Sequence, residues 1–154
     1  MSGIVLVAVH DSATAFAAAE RGIALAKALG ARVHAVEVVE PPAAPASRTA
    51  PGVPPGTARA DADTAPLVRD GVLRHLERVA AAAGVPFTSE ARRGLVAPSL
   101  LDAAAEVGAD YIVMARVDRP GHTIPGIGSR TLRVLEFADV PVIVVPAIPS
   151  VSNR

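Results

Sequence analysis

Six consecutive apolar residues, Ile4 to Val9, form the first patterned stretch of the chain. An unbroken aliphatic and β-branched run predicts a strand buried on both faces. His10-Asp11-Ser12 interrupts it, with Asp11 or Ser12 placed as an N-cap, and the period then changes. Phe16, Ala19, Ile23 and Ala26 recur at spacings of three and four, which predicts a helix over Ala13–Leu29 that Gly30 ends. Ala31–Val39 reads as the second strand. From Glu40 to Asp63 the chain carries Pro41, Pro42, Pro45, Pro51, Pro54 and Pro55 and almost no large apolar residue, the composition of a flexible, polyproline-like insertion.

Helical spacing returns over Thr64–Ala83, with Val68, Val72, Leu76, Val79 and Ala83 in one stripe before Gly84 and Pro86. Phe87–Arg92 is a short, more polar strand, predicted to lie near a sheet edge. Pro98–Val107 predicts a third helix with Leu100, Leu101, Ala104 and Ala105 inward, closed by Gly108 and followed by a strand over Ala109–Ala115. Ser129–Ala138 predicts a fourth helix packed through Leu132, Leu135 and Ala138, and Pro141–Pro146 a wholly apolar fifth strand fenced by prolines.

Strands alternating with helices, and continuous rather than alternating apolar strands, place the chain in the α/β class, with a parallel sheet covered on both faces. At 154 residues it is one domain. In such a sheet, ligands bind beyond the carboxyl ends of the strands where the strand order reverses. For the order 3-2-1-4-5 that point lies between strands 1 and 4, and His10-Asp11-Ser12 would face the loop after Met114.

Composition narrows the chemistry. Aromatic residues make up only 3%, so the core is aliphatic and stacking platforms for nucleic acid are lacking. The 15 basic and 15 acidic residues cancel, so no overall field draws in nucleic acid or an anionic membrane. The absence of cysteine excludes disulfides, thiolate metal sites and cysteine nucleophiles. The apolar N-terminus lacks a basic flank and is too short to be a signal peptide or a span, so the expected location is cytoplasmic.

The stretch Val113–Ser129 (V-M-A-R-V-D-R-P-G-H-T-I-P-G-I-G-S) runs from strand through glycine-rich loop to helix start, an arrangement that turns backbone N–H groups and a positive dipole end toward an anion. An ordinary turn-forming connection has the same composition. Gly126-Ile127-Gly128-Ser129-Arg130-Thr131 lacks the third glycine of a dinucleotide fingerprint, and Ile127 stands where the P-loop lysine would be. His10, Asp11 and Ser12 are adjacent, so they cannot act as a nucleophile–base–orienter set. His10, His34, His75 and His122 show no metal spacing, and Tyr111 reads as core.

Several stretches together resemble the universal stress protein family: V-L-V-A-V-H-D-S, V-E-V-V-E-P, A-D-Y-I-V-M-A, G-S-R-T-L-R-V-L and D-V-P-V-I-V-V-P. The likeness spans residues 1–148, leaving 149–154 as a tail and 40–63 as an insertion. It implies a single-domain, adenine-nucleotide alpha-hydrolase-like fold with a five-stranded parallel sheet in the order 3-2-1-4-5. It also implies a homodimer made through Pro141–Pro146. One branch of the family binds ATP with Mg²⁺ through a G-x2-G-x9-G-S/T loop, and another binds no nucleotide. On that pattern the first two glycines fall on Ala115 and Asp118, and only Gly128-Ser129 is intact. His10 stands where the family has an acidic residue beside adenine, with Asp11 and Ser12 following. Val38 and Met114 fit their places, and Arg130 follows Ser129. The resemblance therefore implies a stress-response regulatory protein whose nucleotide site is half kept: His10, Asp11, Ser12, Val38, Met114, Ala115, Asp118, Gly128, Ser129 and Arg130. The alternatives are a nucleotide-independent dimeric interaction protein and a weak ATPase.

Overall fold

The computed structural model describes residues 3–10, 13–41, 60–116 and 127–146, with residue 13 and residues 60–70 described by backbone alone. Among these lie β1 (Ile4–Val9), α1 (Ala13–Leu29), β2 (Arg32–Val39), α2 (Ala60–Ala83), β3 (Phe87–Arg93), α3 (Val96–Val107), β4 (Tyr111–Ala115), α4 (Ser129–Phe137) and β5 (Val142–Val145). The strands form one parallel sheet in the order β3-β2-β1-β4-β5. This is the expected order, and it leaves the polar β3 at an edge.

Because side chains alternate across a strand, the central β1 serves two cores. Val5, Val7 and Val9 face α1 and α2, where they meet Ala19, Ile23, Ala26, Val72, Leu76 and Ala80. Ile4 and Leu6 face the other way, with Ile112, Ala97, Leu100, Ala103, Ala104 and Val134 of β4, α3 and α4. Leu6, Leu76, Leu100 and Ile112 are fully buried, each contributing about 1.5–3 kcal/mol by leaving water. The glycines expected to stop helices do so: Gly30, Gly84 and Gly108 have φ of 64°, 71° and 66°. At Gly108 the N–H reaches back to the carbonyls of Ala104 and Ala105.

Four expectations are corrected. The second helix begins at Ala60, four residues before Thr64, so residues 60–63 are helical; residues 42–59 of the expected insertion lie outside the described residues. The third helix begins at Val96, and Pro98 is its third residue. A first-turn N–H has no intrahelical partner, so proline is tolerated there. Its inward face is Ala97, Leu100, Ala103 and Ala104, with Leu101 half-buried and Ala105 exposed. In α4 the packed residues are Thr131 and Val134, whereas Leu132 and Leu135 are exposed.

The edge at β3 is held by polar contacts. His34 Nδ1 lies 2.7 Å from Thr88 Oγ1, and its Nε2 lies 2.9 Å from Glu90 Oε1. Arg92 Nε lies 3.1 Å from Glu90 Oε2, and the same guanidinium pairs with Glu106 of α3. Burial disfavours the charged form of Glu90, but hydrogen bonds from His34 and Arg92, together with the Arg92 charge, outweigh it. The carboxyl is held below its ordinary range. Charged side chains along an edge strand also discourage pairing with another chain.

Candidate functional site

β1 and β4 are neighbours in the sheet, yet their connections leave in opposite directions, so a crevice opens at their carboxyl ends. It holds a cavity of about 380 Å³. Val36 and Val38 of β2, Leu100 of α3 and Met114 of β4 line it with apolar surface, because the residues of β2 and β4 on this side are those that pack against α3 and α4. His10, Glu40, Arg130 and Thr131 supply its polar lining. Apolar walls with a few convergent polar groups are the usual make-up of a small-molecule site.

The start of α4 closes one end. Its N-cap is Gly128, which has no side chain to offer, and its first turn carries no acidic residue. The positive end of this nine-residue helix therefore carries Arg130 rather than a carboxylate. Gly128 has φ −59° and ψ 154°, a conformation open to any residue, so its backbone angles do not themselves require glycine.

Arg130 is ion-paired with Glu40, which directly follows β2. Both residues also border a second, shallower groove of about 670 Å³ on the outer side of α3 and α4, walled by Leu95, Leu101, Arg133 and Phe137. The groove is larger, but the inner cavity lies at the reversal of strand order and contains the residues singled out from the sequence. We therefore take the inner cavity as the site.

The structure brings together His10, Val38, Met114, Ala115 and Arg130 around that cavity. Ser129 borders the outer groove, and Gly128 is the N-cap of α4. Asp11, Ser12 and Asp118 lie outside the described residues. Glu40, Val36, Val96, Leu100 and Thr131 also line the cavity and were not singled out. The signal for Glu40 was its place: an acid one residue beyond a predicted strand, at the carboxyl end where ligands bind. Among the described residues no three metal-ligating side chains gather. His34 belongs to the β3 edge, and His75 packs edge-on against Phe16 with ring centroids 5.8 Å apart.

The family model described as the universal stress protein family matches residues 1–146. The chain belongs to this family. Among solved structures it is similar to a universal stress protein of Burkholderia pseudomallei, at 29% identity and a TM-score of 0.71, over 94% of this chain and 96% of that one. It is similar also to a universal stress protein solved in complex with cAMP, at 23% identity and a TM-score of 0.64, over 94% and 97% of the two chains. A universal stress protein from Archaeoglobus fulgidus in complex with dAMP gives 21% identity and a TM-score of 0.63, again over 94% and 97%. No curated protein matches the chain significantly. The fold is thus of the adenine-nucleotide alpha-hydrolase-like type shared by these proteins. Among the described residues no helix is long and apolar enough to cross a membrane.

Proposed function

We propose that this universal stress protein is a cytoplasmic regulatory protein of the stress response that acts by binding an adenine nucleotide rather than by turnover. The observation that carries this reading is the cavity at the β1–β4 crevice, apolar along Val36, Val38, Leu100 and Met114 and ending at Arg130 on the first turn of α4. A flat, apolar base suits the valine and methionine walls. A phosphate suits the positive helix end at Gly128-Ser129-Arg130. The relatives held with cAMP and dAMP support the same class of ligand.

The second reading is a nucleotide-independent interaction protein that works as a homodimer through Pro141–Pro146. The exposure of Leu132, Leu135, Phe137 and Ile143 near that strand favours it. Calorimetric titration with ATP plus Mg²⁺, AMP and cAMP, paired with thermal melting, separates the two. A ligand that binds only the native state raises the melting temperature by mass action. Saturable heat and a raised melting temperature, both lost on Gly128→Val, support nucleotide binding. No shift at millimolar concentrations of any of the three would remove it and leave the interaction protein. Release of ADP during the ATP titration would instead identify a weak ATPase.

A further inference from the structure

We propose that Glu40 makes this cavity a charge filter, favouring an adenine ligand with one negative charge over one with several. The inference rests on the nucleotide-binding reading above and goes further, naming which member of the class the site prefers. Glu40 and Arg130 are ninety positions apart in sequence, and their ion pair joins the end of β2 to the first turn of α4. Both line the inner cavity and the outer groove, so a ligand that fills the cavity and reaches for the helix end passes this pair.

With no ligand, the Glu40 carboxylate is the anion that Arg130 holds. A phosphate that engages Arg130 must share or take the guanidinium, yet it cannot send Glu40 far away. Its backbone is anchored one residue beyond β2, whose last carbonyl, that of Val39, accepts the Gly94 N–H at 3.0 Å, so only side-chain rotation can move the carboxylate. One phosphate charge can share the guanidinium with Glu40. Among the described residues that line the cavity, Arg130 is the one arginine or lysine, so each further negative charge meets the Glu40 carboxylate there. Of the other described lining residues, Arg133 and Asp102 border the groove with opposite charges, and His10 lines the cavity. The Glu40 side chain is only 32% exposed, so solvent screens it incompletely. The α4 dipole favours any phosphate seated at the helix end, in the native protein and in a Glu40 variant alike.

The test is calorimetric titration of the whole chain with cAMP, AMP, ADP and ATP, without magnesium and at low salt, on the native protein and on Glu40→Gln. Glutamine keeps the size and removes the charge, so a ladder due to ligand bulk would survive the substitution. Melting of both proteins confirms that the variant is folded. In the native protein, affinity should fall along the series, by about tenfold or more between cAMP and ATP. In Glu40→Gln the gap should close to within about threefold, through tighter ATP binding. Equal affinities in the native protein, or an unchanged ladder in the variant, would overturn the filter and leave nucleotide binding standing. No heat with any of the four nucleotides in either protein would end both readings.

Discussion

Gly22 of α1 lies against Val7 of β1 so closely that a Cβ built on the glycine would stand 2.6 Å from Val7 Cγ2. Val7 is held in the core between α1 and the sheet and is β-branched, so its methyl has little freedom to turn aside. At this point the helix backbone sits closer to the central strand than a Cβ would allow. Gly22→Ala should gain about 1 kcal/mol in helix propensity and lose about 1–3 kcal/mol to overpacking. The melting temperature should fall, by up to several degrees, and a larger side chain such as valine should lower it further. A rise in melting temperature with alanine would show that β1 and α1 adjust to each other more easily than this contact implies.

Acid should loosen the β3 edge before the two apolar cores. Glu90 has a carboxyl held below its ordinary range by His34 and Arg92, against the opposing effect of burial. A carboxyl depressed in the folded state contributes stability that is complete above its unfolded value, near pH 4, and is lost as pH falls through the folded value. The stability of the native protein should therefore decline below about pH 4.5. Glu90→Gln should be less stable at neutral pH and show a shallower acid decline. Denaturant titrations at pH 7, 5, 4 and 3 measure both. Parallel acid limbs in the two proteins would assign the decline to other carboxyls.

Filling the cavity should separate binding from folding. Val38 is only half-buried and lines the cavity beside Glu40, so a larger ring there can occupy ligand space at little expense to the core. Val38→Trp should lower adenine-nucleotide affinity at least tenfold with a melting temperature within a few degrees of native. Undiminished affinity would move the base-binding surface away from β2.

What could be read from the sequence follows from how locally each signal is encoded. Ile4–Val9 announced a doubly buried strand because all six positions face one core or the other. Gly30, Gly84 and Gly108 announced helix ends because their backbones need φ > 0. The packed face of α4 was not legible. Stripes through Leu132–Leu135 and Thr131–Val134 are offset by one residue, and the less apolar stripe turned inward. Period alone identifies a helix; the sheet decides which stripe it covers. The start of α2 was missed for a related reason. The apolar stripe begins only at Val68, just after Thr64, but the helical backbone already runs from Ala60. Of the residues around the cavity, His10, Val38, Met114, Ala115 and Arg130 were named from the strand ends and the family resemblance. The Glu40–Arg130 pair was not, because no local spacing links residues so far apart.

The two edges of the sheet make opposite predictions about assembly. β3 presents Thr88, Ser89, Glu90, Arg92 and Arg93, and its ion pairs with Glu106 and its contacts with His34 occupy that edge. β5 is Val-Ile-Val-Val with no charge, and Ile143 is 37% exposed. Among the described residues it pairs on one side only, with β4, where Ile112 donates its N–H to Pro141 and Arg116 donates to Val145. An apolar edge strand left open is a template for pairing with another chain, and two copies meeting through it about a two-fold axis would cover both edges at once. On the homodimer reading, the native protein should sediment as a dimer at micromolar concentration. Ile143→Lys should shift it to monomer, because the interface would bury one lysine from each copy, close to the axis. Glu90→Lys at the opposite edge serves as the control and should leave the sedimentation coefficient unchanged. A native protein that is monomeric across the concentration range, or an Ile143→Lys variant that remains dimeric, would place any self-association on another surface.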